Sequence, residues 1–172
     1  MDPDDARHRF RRASWGNVVA NTAKILAEGA VGVVFGSVAL VADAAHSVAD
    51  LIASVVVLIW GSSSYDEADA THPHGHDRIE PLTALFVGAV IVVLGGYLLY
   101  ESIRGLLAGA EVAFSYYLLA ALGFAMVDMY LAYWYTTRLN TGLDSPALTA
   151  LAKDSLNDMY TTVAAGVGIL GL

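Results

Sequence analysis

The stretch VADAAHSVAD, residues 41–50, decides how this chain is read, because it puts Asp43, His46 and Asp50 inside one of the most apolar parts of the sequence. On a helix, residues four apart are offset by about 40° around the axis and about 6 Å along it. His46 and Asp50 therefore project from one face and can reach one ion. Asp43 shares roughly that face, nearer the start of the helix, where it either touches the ion or bonds water or a neighbouring helix.

Around this stretch the composition is that of a membrane protein. Of 172 residues 56% are hydrophobic, the mean hydropathy is +0.56, and the apolar residues come in long blocks. A transmembrane helix needs about 20 mostly apolar residues, and the stretches near 15–36, 38–61, 81–103, 114–136 and 147–172 qualify. The fold expected is all-α: a bundle of five transmembrane helices within residues 14–172, behind a cytoplasmic tail of residues 1–13. Arg7, Arg9, Arg11 and Arg12 precede the first span, which argues for a cytoplasmic N-terminus. That span is too long for a cleaved leader and lacks a small-residue cleavage site.

Several function classes drop out. Without cysteine there is neither a disulfide framework nor a thiolate metal site, so a bound metal must use histidine nitrogen and carboxylate oxygen. The net charge is −8 and no basic face is present to neutralise phosphates, which argues against nucleic acid as a partner. An intramembrane enzyme is disfavoured: there is no HExxH, no Gly-x-Gly-Asp, and no Ser or Cys nucleophile beside a base.

An ionisable residue at the centre of a spanning helix costs from about 2.5 to more than 10 kcal/mol, so its default reading is functional. The fifth span repeats the pattern of the second. In LAKDSLNDMYTT, residues 151–162, Asp154 and Asp158 are again four apart. His46, Asp50, Asp154 and Asp158 together make four ligands, enough to close a tetrahedral shell around a divalent cation. Lys24 and Glu28, four apart in the first span, read as a buried ion pair. Asp128 stands alone in the fourth span, and Lys153 and Asn157 flank the second carboxylate pair as helix-packing residues.

The connections carry further signals. DATHPHGHDR, residues 69–78, presents Asp69, His72, His74 and His76 within eight residues, with Gly75 to let ligands converge, which reads as a cytoplasmic metal site or else as an unoccupied solvated loop. Pro81 suits the first turn of the third helix. Asp144 or Ser145 is expected to cap the fifth helix, with Pro146 at its first position.

GSVALVADAAHSVADL (residues 36–51), HPHGHDRIEPL (72–82), YESIRGLL (100–107) and the paired ligands of the fifth span together resemble the cation diffusion facilitator family of divalent-metal transporters, over nearly the whole chain. The resemblance implies a six-helix membrane domain, usually a homodimer, that exports Zn²⁺, Mn²⁺, Fe²⁺ or similar ions from the cytoplasm in exchange for protons. It places the transport site on His46, Asp50, Asp154 and Asp158, and a loop site found in some members on Asp69, His72 and His76. His74 falls where the family often has an aromatic residue. Zinc-selective members often carry histidine where Asp154 stands, so the site here is richer in hard oxygen ligands.

The expected function is efflux of a divalent transition metal by alternating access, as a metal/proton antiporter in the cell membrane of a prokaryote. The chain ends in the apolar run VAAGVGILGL, residues 163–172, without the family's sixth helix and soluble C-terminal domain. A second reading, that of a membrane metal-binding or scaffold protein which moves no ions, or of a fragment of a transporter, therefore stands beside the first.

Overall fold

A computed structural model of the chain describes residues 3–34, 38–65, 78–107 and 116–170. All its regular elements are helical: α1 (Pro3–Val34), α2 (Val38–Val56), α3 (Ile79–Leu107), α4 (Tyr116–Asn140) and α5 (Pro146–Leu170). α1 packs on α2 and α4, α5 packs on α4 and α3, and α2 meets α3 through a π-helical turn, Val57–Gly61, at its end. The helices thus form a ring, with α1 and α5 facing each other across its middle.

α1 begins well before the apolar span that follows it. Pro3 is its first residue and Asp4 and Asp5 stand in its first turn, where a missing N–H costs nothing and negative charge meets the positive end of the helix dipole. Residues 3–13, expected as a tail, are therefore continuous helix with the first span.

The pattern along α1 is inverted relative to a soluble helix. Ser14, Asn17, Asn21, Lys24 and Glu28, spaced by three or four, are buried, whereas Trp15, Val19, Leu26, Val33 and Val34 are exposed. Polar groups turn inward and apolar ones outward when the surroundings are hydrocarbon rather than water. The inward stripe is stitched to its neighbours: Asn17 Nδ2 donates to Thr136 Oγ1 on α4 at 2.6 Å, and Asn21 Nδ2 to Ser54 Oγ on α2 at 3.1 Å.

α3 is the most peripheral helix. Among its described side chains Thr83 and Val87 are buried, while Leu82, Leu85, Val92, Val93, Leu99 and Ile103 are exposed. By length and apolar composition alone, two segments of the described residues are able to cross a membrane, Asp43–Gly61 and Ile79–Tyr97. α1 and α5 interrupt their apolar stretches with charged residues and α4 is rich in tyrosine, which lowers their mean hydropathy.

α4 and α5 form an antiparallel hairpin with a well-bonded connection. Gly142 and Asp144 both take positive φ, 78° and 51°, which lets Leu143 N and Asp144 N return to Asn140 O at 2.9 and 3.1 Å. Ser145 is the cap of α5: its Oγ accepts from Leu148 N at 3.1 Å, and Pro146 follows as the first helical residue.

At the end of the bundle where α1, α3 and α5 begin, Phe10, Ala13, Ala53, Val57, Val87, Ala147, Leu148 and Leu151 form the apolar core. Phe10 is fully buried there, and its ring lies 5.4 Å from that of Tyr65, centroid to centroid. Gly61 sits so close to Phe10 that an added Cβ would run into the ring. Overpacking a filled core costs about 1–3 kcal/mol. Gly61→Ala is therefore expected to lower the melting temperature of the detergent-solubilised protein, and adding Phe10→Leu to restore part of the loss; equal melting of wild type and Gly61→Ala contradicts this packing.

Candidate metal centre

Deeper in the bundle than the apolar core, α2 and α5 bring three ligands together. The Nε2 of His46 lies 3.8 Å from Oδ2 of Asp50 and 3.9 Å from Oδ1 of Asp158. One ligand atom from each of the three falls within 4.8 Å of the other two. In a tetrahedral site with bonds of about 2.1 Å the ligand atoms are roughly 3.4 Å apart, so small side-chain rotations suffice to close the set around an ion. The side chains of His46, Asp50 and Asp158 are 13%, 4% and 10% exposed. Asp50 Oδ2 is buried without a hydrogen-bond partner, an arrangement that costs free energy unless a cation or donor arrives.

The i, i+4 spacing that joins His46 to Asp50 operates as the sequence implies. Asp154 is placed differently from its three expected companions. It lies one turn before Asp158, nearer the start of α5, outside the converging trio, yet within electrostatic range of Asp50, Asp158 and His46. The residues of the histidine loop, Asp69, His72, His74 and His76, lie outside the described residues.

Lys24 is the unexpected member of the centre. It is 1% exposed, and its Nζ stands 3.5 Å from Asp158 Oδ2 and 3.9 Å from Asp43 Oδ1. The ion pair with Glu28 expected from their spacing is not made at contact distance, Lys24 reaching across the bundle instead: Glu28 is fully buried, its carboxylate lies within hydrogen-bonding reach of that of Asp43, and Lys24 stays within electrostatic range. The reason is geometric. An i, i+4 pair on one helix competes with two carboxylates on facing helices, and the long lysine side chain reaches them. Asp43 is more open, with its side chain 36% exposed. Asp128 lines a groove of about 260 Å³ between α1 and α4 with Trp134 and Tyr135, and its Oδ2 is buried and unpartnered.

A histidine and two carboxylates converging inside a helical bundle with lipid-type outer faces are joined by a match along the chain. The profile of the cation efflux transmembrane domain fits residues 15–172. The chain belongs to the cation efflux family. Among its relatives, the magnetosome protein MamB of Paramagnetospirillum magneticum is 31% identical over 170 residues, covering 99% of this chain and 57% of MamB. The magnetosome protein MamM of Magnetospirillum gryphiswaldense is 30% identical, covering 94% of this chain and 51% of MamM. The manganese efflux system protein MneP of Bacillus subtilis is 32% identical over 153 residues, covering 89% of this chain and 51% of MneP. The chain thus spans about half the length of these relatives.

Family membership covers the elements that hold the centre, α1, α2 and α5. It also accounts for the all-helical architecture with outward apolar faces, and it is a family of transporters rather than of enzymes.

Proposed function

We propose that this chain is the membrane domain of a divalent transition-metal efflux transporter whose ion is held between α2 and α5 by His46, Asp50 and Asp158, with Asp154 as the fourth ligand. The observation that carries the reading is the convergence of His46, Asp50 and Asp158. Nitrogen with carboxylate oxygen is a donor set that suits Zn²⁺, Mn²⁺ and Fe²⁺. The relative MneP, a manganese efflux system protein, supports Mn²⁺ among them.

Asp154, one turn closer to the start of α5, meets an ion entering from the end where α1 begins. With a cytoplasmic N-terminus that end faces the cytoplasm, and rocking of the helices then exposes the site to the other side. Ligands must shed protons to bind the metal, so metal uptake and proton release are one linked event. The transporter is accordingly a metal/proton antiporter and, as the resemblance implies, a homodimer in the cell membrane.

The test is uptake of Mn²⁺, Zn²⁺ and Fe²⁺ into proteoliposomes with the internal pH followed at the same time. Metal flux accompanied by opposite proton flux is expected. Metal binding without flux assigns the chain instead to the class of membrane metal-binding or scaffold proteins.

The loop residues Asp69, His72 and His76 are proposed as a second, cytoplasmic site. Replacing His72 and His76 together with Ala is expected to remove roughly one bound ion per chain, since two of the three proposed ligands are lost, while transport continues. Unchanged metal stoichiometry in the double variant excludes the loop as a metal site.

A further inference from the structure

The transport reading above leaves Lys24 and Glu28 without a role, yet they are the most deeply buried charged residues of α1, at 1% and 0% exposure. Asp158 uses both its oxygens: Oδ1 faces His46 at 3.9 Å and Oδ2 faces the Lys24 ammonium at 3.5 Å. A divalent ion bound to Asp158 would have that ammonium as a close neighbour of like charge. A buried like-charge contact of this kind is relieved when the ammonium moves away from Asp158.

The structure also offers a place to go. Glu28 follows Lys24 by one turn on the same face of α1, within reach of its side chain. It is fully buried, and its carboxylate lies within hydrogen-bonding reach of that of Asp43, whose Oδ1 is already 3.9 Å from Lys24 Nζ. Two buried carboxylates side by side repel each other unless a proton or a cation lies between them, so Glu28 and Asp43 together make a place suited to an ammonium. Asp43 borders both places, so the ammonium need not cross an apolar gap.

We infer that the Lys24 ammonium is a tethered cation that occupies the metal centre in the absence of metal, and that Glu28 with Asp43 forms the site that receives it when metal binds. The inference rests on the metal centre proposed above. Metal entry then moves one positive charge along α1, towards Glu28 and Asp43, as the ion takes its place beside Asp158. Release of the metal is assisted in reverse, as the ammonium returns to Asp158 and competes for its carboxylate. Lys24 and Glu28 act through the ligands and are positioning residues, without touching the ion.

The test is Mn²⁺ titration of the purified full chain in detergent, wild type against Lys24→Met, Glu28→Gln and the double variant, with Lys24→Gln as a second removal of the charge and circular dichroism to confirm helix content. Removing the competing ammonium is expected to tighten Mn²⁺ binding, and removing its receiving site to weaken it, each by about tenfold, the usual scale of coupling between linked sites. In the double variant the Glu28→Gln effect disappears, because no ammonium is left to receive. A purely structural ion pair gives weaker binding in every variant. The inference is overturned if the folded Lys24 variants bind Mn²⁺ no more tightly than wild type, or if Glu28→Gln weakens binding equally with Lys24 absent. Asp50→Ala distinguishes the two levels: if it retains wild-type Mn²⁺ affinity, the metal centre itself is misplaced, whatever the Lys24 variants do.

Discussion

Asp50→Ala is expected to abolish metal flux while the protein inserts and folds as wild type. Asp50 supplies one of three converging ligands, and its Oδ2 has no hydrogen-bond partner to lose, so truncation removes a ligand without breaking an internal bond. Loss of a residue that merely orients a ligand typically lowers metal affinity by about 10–100-fold, and loss of a ligand exceeds that. The corresponding change at Asp158 is less clean. Its Oδ2 also faces the Lys24 ammonium at 3.5 Å, and stripping one partner from a buried pair costs about 3–5 kcal/mol. Asp158→Asn is the better variant, because it keeps the shape and one oxygen while removing the charge that holds the metal. Flux in proteoliposomes, normalised to inserted protein, is the measurement. Wild-type flux in Asp50→Ala would remove the α2–α5 centre from the transport path.

Asp154→His is expected to shift selectivity from Mn²⁺ towards Zn²⁺. With Asp154 as fourth ligand the set is one imidazole and three carboxylates, and hard oxygen ligands tolerate Mn²⁺ better than a set with two imidazoles does. Zn²⁺ still binds the wild type, since the intrinsic affinity order places it above Mn²⁺ at nitrogen and oxygen sites. The change is thus a narrowing rather than a reversal. Asp154 also adds negative charge beside Asp50 and Asp158, and replacing it with a neutral imidazole reduces the mutual repulsion of the empty carboxylates. The ratio of Mn²⁺ to Zn²⁺ transport at one pH checks this: if it does not fall in the variant, the hardness of the ligand at position 154 does not set selectivity. Control by the shape of the surrounding helices would then be the better account.

The sequence by itself determined the helical class, the shared face of His46 and Asp50, and the cap of α5 to within a residue. These depend on helix periodicity, on the cost of charge in hydrocarbon and on capping chemistry, all of which act within a few positions of the chain. Of the buried stripe Ser14, Asn17, Asn21, Lys24, Glu28, the spacing singled out Lys24 and Glu28, and the packing of α1 added the other three. What it faces was not. Local spacing assigns Lys24 to Glu28, one turn away on the same helix. The tertiary structure assigns it to Asp158 and Asp43, because α5 and α2 bring two carboxylates within 4 Å of the ammonium. The same holds for the ligands: spacing pairs Asp154 with Asp158, but only the relative height of α2 and α5 makes Asp158 level with His46 and leaves Asp154 a turn below. Contacts between helices depend on how the helices slide and rotate against one another, and that is set by the packing of the whole bundle rather than by any one segment.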